Sequence, residues 1–199
     1  MFRGHSDSSW KLIPTAGRPP FDEVCDKAVF EAWRRRAIEY VADSNLTDWD
    51  WLAIAQHHGL ATRLLDWSAN PLNAAYFVVR KSRDCTAAIY AVRPKFEISP
   101  EQTGPHTYER VARFLPKGIT ARIGRQHGLF TIQGDPTKPI DEFDGYFSGF
   151  DTILISQEYR DTLRRELSYY GIHSASLFPD LDGLSEFVNW AVESREYFC

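Results

Sequence analysis

Residues 55–77 read AQHHGLATRLLDWSANPLNAAYF. Three structural signals follow one another here, and their order decides the fold class. Gly59 is a natural helix stop, because glycine enters the left-handed region at little steric cost. TRLLDW, residues 62–67, reads as a short buried extended segment. Asn70 then caps a new helix, with Pro71 at its first helical position. The run is therefore helix, strand, helix.

Working upstream, Thr47-Asp-Trp-Asp50 resembles a capping box with Asp in the usual Glu/Gln place, and predicts a helix from about Asp48 to His58. Residues 19–42 read as an earlier helix, with Pro20 in its first turn and Val24, Ala28, Phe30, Ala32, Ile38 and Val41 as its apolar face. Arg34, Arg35 and Arg36 wrap around that helix as a solvated face rather than a phosphate clamp. Downstream, Leu72, Ala75, Tyr76 and Val79 form the inner stripe of the Asn70 helix, and residues 86–92 look like a strand. Residues 94–118 carry Pro94, Pro100, Pro105 and Pro116 and read as a long irregular loop. GLFTIQ (128–133) and DTILIS (151–156) are strands, a helix runs from Gln157 to Tyr170 before Gly171, SASLFPDLDG (174–183) is a structured turn, and a last helix spans 183–196. Strands and helices mix without strict alternation, which predicts an α+β fold, taken as a single domain over residues 1–199.

The 199 residues are 43% hydrophobic and 25% charged, enough for one domain with a sizeable core. A net charge of −4 gives no broad electrostatic footprint for nucleic acid, although a local basic strip stays open. Six Trp, nine Tyr and thirteen Phe supply both core volume and flat surfaces on which ligands stack. Cys25, Cys85 and Cys199 are widely spaced and odd in number, and no signal peptide precedes them; reduced thiols in a cytoplasm are expected. No apolar run approaches the ~20 residues that span a membrane.

The polar residues of the central block ask for a reason. His57 and His58 are adjacent, so on a helix they point about 100° apart and cannot share one metal with ordinary helix geometry. No metal site is predicted, and a hydrogen-bonded structural histidine is the alternative for each. Arg63 and Asp66 lie on opposite faces of an extended segment and make no automatic ion pair. Asp66 either accepts backbone N–H groups near the Asn70 helix start or orients an arginine or a sugar hydroxyl. Trp67 is either core or a stacking platform. Gln126 precedes a strand and can hydrogen-bond a ribose or an amide without adding charge, or brace a turn. Arg3, at the front of the chain, is either an anion-holding residue or a cation on a loose terminus. No dinucleotide-binding glycine fingerprint, Walker A loop or nucleophile elbow occurs, so Ser68 has no context as a nucleophile. Asp180 and Asp182 sit in a Pro/Gly turn and lack the further acids of a calcium loop.

Phe2-Arg3-Gly4, Trp10 with KLIPT and Arg18, the block from Ala55 to Phe77, RIGRQHGLF (122–130) and YYGIHSASLFPDLDGL (169–184) together resemble the FRG domain. The resemblance runs in order along almost the whole chain. Ala61 departs from it, since a proline usually precedes Thr-Arg, and members usually carry residues ahead of the triplet. FRG domains occur in bacteria and phages, often in a toxin-like or phage-defence setting. Their layout is similar to ADP-ribosyltransferases of the Arg-Ser-Glu type, which implies an ADP-ribosyltransferase-like core. On that pattern Arg3 supplies the first element. Ser68, ahead of a helix with Ala75 and Phe77, supplies the second, and Gln126 stands where the acid belongs. The implied catalytic residues are Arg3, Asp66 and Gln126, with Gly4, His57, His58, Arg63, Trp67 and Ser68 binding substrate. NAD is the implied substrate, with a protein or nucleic-acid acceptor and an antitoxin or immunity partner. Because Gln126 can position but brings no charge, a non-catalytic nucleotide- or nucleic-acid-sensing module is the alternative.

Overall fold

A computed structural model describes residues 1–41, 45–81, 83–116 and 125–196. The fold is α+β. A six-stranded antiparallel sheet runs in the order β4-β5-β2-β1-β3-β6. The strands are β1 (Phe2–His5), β2 (Leu65–Ser68), β3 (Ala87–Pro94), β4 (Ala112–Phe114), β5 (Gly128–Ile132) and β6 (Phe147–Ile155). Among the described residues the α-helices are α1 (Asp26–Ala37), α2 (Asp48–His57), α3 (Pro71–Val79), α4 (Arg160–Tyr169), α5 (Ser174–Leu177) and α6 (Leu181–Glu193). No helix among them is long and apolar enough to cross a membrane.

Local signals set the helix ends. Thr47 and Asp50 close a reciprocal capping box on α2, with Thr47 Oγ1 accepting from Asp50 N at 3.2 Å and Asp50 Oδ2 accepting from Thr47 N at 2.9 Å. Gly59 follows α2 with φ +85°, and Asn70 Oδ1 accepts from Leu72 N at 2.9 Å to start α3. Asp180 caps α6 through Gly183 N at 2.7 Å, so the Asp180–Asp182 turn is a helix start.

Other expectations shift. The helix expected over 19–42 begins only at Asp26, because Val24 is still extended and Ile38 has already passed into a 3₁₀ turn. Counting from Asp26, the inward stripe is Asp26, Phe30, Trp33 and Ala37, leaving Val24 and Ile38 exposed. Leu72 is exposed as well, and α3 instead buries Ala74, Ala75, Tyr76, Val78 and Val79. The loop expected over 94–118 contains β4, which is too short to leave a periodic trace. The turn at 174–183 holds α5. Ala42, Cys199 and the Arg122-Ile123-Gly124 triplet lie outside the described residues.

Alternation along the strands sorts the core. Leu65 and Trp67 of β2, Val92 of β3 and Leu129 of β5 share one face with Leu12, Val111 and Ile140. The other face carries two separate clusters. One joins α1 and α2 to Ala112, Phe114, Phe130 and Ile132; the other joins α3, α4 and α5 to Ala87 and Ile89, with Phe2 packed beside it. Between these clusters the sheet splits. β1 pairs along its length with β3, Phe2–His5 against Ala91–Ala88, yet meets β2 at Phe2↔Ser68 alone. Behind the split, Arg160 of α4 donates to the carbonyls of Ser6, Val78, Lys81 and Cys85 at 2.7–3.1 Å, which satisfies the open end of α3 and ties it to the turn after β1.

Candidate functional site

The split opens into a cavity of about 610 Å³, within the range of small-molecule sites. β1 brings Arg3, β2 brings Asp66, α2 brings Gln56 and His57, and the turn before β5 brings Gln126. Arg18 and Trp10 enter from the segment after β1.

Arg3 props the split. Its Nη1 donates to the carbonyl of Asp66 at 2.6 Å, taking the place of a ladder hydrogen bond from β1. Its Nε donates to His5 Nε2 at 3.0 Å. The carboxylate of Asp66 stands 3.8 Å from Nη1, too far for a direct hydrogen bond. Burial pushes the Arg3 guanidinium below its ordinary pKa, Asp66 pulls it back, and Arg18 opposes that pull. His5 accepts from Arg3, so its proton is on Nδ1, which donates to the Trp10 carbonyl at 3.2 Å. Burial first, then the Arg3 charge, pushes the His5 pKa down to about 3. The imidazole beside Arg3 is therefore neutral.

Arg18 spends Nε (2.7 Å) and Nη2 on the single carbonyl of Ile13. A carbonyl brings no formal charge, so Arg18, like Arg3, is held in place without being neutralised by a close carboxylate. Asp66 is the one acid lining the cavity among the described residues. Gln56 aims it: Thr62 Oγ1 donates to Gln56 Oε1 at 2.5 Å, which fixes the amide so that Nε2 donates to Asp66 Oδ2 at 2.8 Å. The helix start at Asn70 takes its cap from its own side chain, so Asp66 has no part in it.

Of the residues expected from sequence, Arg3, Gly4, His57, Asp66, Trp67, Ser68 and Gln126 all line the cavity, although the chain separates Arg3, Asp66 and Gln126 widely. Several have their polar atoms committed elsewhere. Ser68 Oγ donates to the Gln126 carbonyl at 2.7 Å, and Gln126 Nε2 donates to the Leu177 carbonyl at 3.2 Å. Trp67 is buried, with Nε1 on Thr131 Oγ1 at 2.8 Å, which makes it core. Gly4 is there for packing: a Cβ would stand 2.1 Å from the Ala74 carbonyl oxygen. Two residues do not line the cavity. His58 is exposed against His57, and Arg63 is buried in a bidentate pair with Asp26, Nε–Oδ2 2.6 Å and Nη2–Oδ1 2.7 Å. That partner lies 37 positions away and had no local signal.

His5, Trp10, Arg18 and Gln56 also line the cavity and lie outside the set of site residues that the resemblance implies. Trp10 and Arg18 stand within the KLIPT segment's resemblance to the family, which was the available pointer. The FRG domain family model matches residues 1–86. The matched stretch runs from β1 through α3; it holds Arg3, Arg18 and Asp66 but ends before Gln126. Comparisons with curated proteins and with solved structures gave no significant match.

Proposed function

We propose, from this FRG match and the cavity, that the split between β1 and β2 binds NAD and transfers its ADP-ribosyl group to an acceptor. One observation supports the reading above the rest: two guanidinium groups, Arg3 and Arg18, are anchored on main-chain carbonyls beside a single carboxylate. Planar guanidinium forks suit phosphate oxygens, and a cavity with surplus positive charge favours a ligand with adjacent phosphates. Asp66 then lies near the ribose. As the bond from C1′ to the nicotinamide nitrogen breaks, its electron pair leaves with nicotinamide and positive charge develops on the ribose. A carboxylate already oriented by Gln56 stabilises that charge without reorganising. The acceptor nucleophile attacks C1′ and loses its proton to solvent. In a bacterial or phage setting such a protein is an effector, paired with an antitoxin or immunity partner.

A second reading has its own support. Gln126, in the position of the family pattern's acid, is neutral and donates its amide to the Leu177 carbonyl. A cleft that binds a nucleotide and does not turn it over is the consequence if Asp66 does not act. Calorimetry with NAD, followed by incubation with NAD labelled on the adenylate half and assay of free nicotinamide, separates the two. Label on a macromolecule with equimolar nicotinamide is expected. Binding without nicotinamide supports the sensing module, and no binding of NAD sinks both.

A further inference from the structure

We propose that Trp10 is the base platform of this cleft, its indole stacking on the flat heterocycle of the nucleotide whose phosphates Arg3 and Arg18 hold. The inference rests on the nucleotide reading above and adds to it the part of the ligand that is not charged.

Among the six tryptophans, Trp49, Trp51 and Trp67 are buried, Trp33 and Trp190 are half-buried, and Trp10 alone is 42% exposed. A large aromatic surface left in water inside a concave, cationic cavity is costly unless something covers it. The backbone of Trp10 is fixed by hydrogen bonds, and its ring meets the His5 imidazole edge-on, with centroids 6.0 Å apart. The carbonyl accepts from His5 Nδ1 at 3.2 Å, and the amide donates to the Asp7 carbonyl at 3.3 Å. Arg83 lies over the indole, Cζ 4.7 Å from the ring centroid, so a cation already occupies one side of the ring. A heterocycle on the remaining side completes a guanidinium–indole–base stack.

Position supports the assignment. His5 bridges the two functions, taking the Arg3 Nε hydrogen bond on one ring nitrogen and holding the Trp10 carbonyl with the other. One neutral imidazole therefore sets the spacing between the phosphate holder and the platform. Trp67, the other tryptophan at the cavity, has spent its N–H on Thr131 and packs into the opposite face of the sheet.

The test uses two probes that share a diphosphate, ADP and inorganic pyrophosphate, the first carrying an adenosine that the second lacks, titrated into the full chain by calorimetry. Wild-type protein is expected to bind ADP about tenfold or more tightly than pyrophosphate, the range of a base–aromatic stack. ADP is also expected to quench tryptophan fluorescence. Trp10→Ala should bring ADP down to the pyrophosphate level and leave pyrophosphate unchanged, while Trp10→Phe keeps most of the preference. The hydrogen bonds that hold residue 10 are main-chain, so both variants retain them, while the ring contacts with His5 and Arg83 are lost in Trp10→Ala and kept by an aromatic ring in Trp10→Phe. Equal binding of the two probes by wild type, or equal weakening of both by Trp10→Ala, overturns the platform while the anion site stands. Arg3→Ala reports on the phosphate hold separately, and failure of wild type to bind either probe overturns the platform together with the nucleotide reading.

Discussion

Arg3 and Arg63 are built from the same three residue types and do opposite things. Each is largely shielded from water, each lies beside an aspartate, and each has a histidine nearby that burial holds neutral. In the Arg63 cluster the guanidinium meets Asp26 in a bidentate fork, and His106 Nε2 stands 3.7 Å from the same carboxylate with no hydrogen-bond partner. In the Arg3 cluster the donors go to a carbonyl and an imidazole, while the carboxylate of Asp66 stays 3.8 Å off and 58% exposed. The first arrangement is neutral and closed, and it fastens α1 to the chain ahead of β2. The second keeps its charge and opens on a cavity. Charge with its partner docked is structure; charge held by dipoles alone is available to a ligand.

The largest break in that comparison should come from Arg63→Ala. It leaves the Asp26 carboxylate buried without its cation, which costs about 3–5 kcal/mol. Denaturant unfolding measures this, and a loss under about 1 kcal/mol would mean that water already reaches the pair.

Acid comes next and strikes both clusters. His5 and His106 are neutral when folded, with pKa values below the ordinary histidine value, whereas the unfolded chain takes up protons below about pH 6.5. Stability is thus fully present above that pH and falls as pH falls. His5 alone should cost about 1.4 kcal/mol for each pH unit, or roughly 2 kcal/mol by pH 5. Burial pushes the Asp26 carboxyl up, but the Arg63 hydrogen bond and charge carry it below its ordinary value, so its own contribution is lost only at still lower pH. Unfolding free energies at pH 7.5, 6.5 and 5 give the slope. Ring signals in NMR identify its source, because His5 should not titrate until about pH 3. A flat profile contradicts neutral burial.

Arg3→Ala should be mild for the fold and severe for the ligand. The carbonyl it frees on Asp66 lies where water can replace the bond, so about 1 kcal/mol is expected, with loss of NAD binding. Unchanged NAD affinity would show that Arg3 is a prop and nothing more. Smallest is Asp66→Asn, a surface change within about 0.5 kcal/mol. Nicotinamide release should fall in this variant while NAD binding is kept. Full turnover would move the chemistry away from Asp66.

What could be read from sequence divides along the same line. The capping residues Thr47, Asp50 and Asn70, and the stop at Gly59, act within a few residues of themselves and were legible. The gathering of Arg3, Asp66 and Gln126 was legible through the family pattern and not through spacing. Arg63 counts as a site residue only through the resemblance, and the residue that decides its role, Asp26, is at the start of α1, far along the chain. Trp33 was missed because the helical count started before the helix did. The order of the strands, and with it the split, depends on partners far apart in the chain.

One glycine governs the width of that split. At Gly4 the strand rests directly on the backbone of α3, where an added Cβ would come within 2.1 Å of the Ala74 oxygen and 2.9 Å of Val78 Cγ2. A methyl group there has to displace β1 from the helix. On one side β1 is laced to β3 over its length, while on the other it is joined to β2 at a single pair. The slack lies wholly on the second side, so the displacement would be delivered to the mouth of the cavity and to the guanidinium next door. The gap is gauged by a carbon atom that is not there, which makes the triplet one tool: Phe2 is its shank, Gly4 its stop, and Arg3 its working edge.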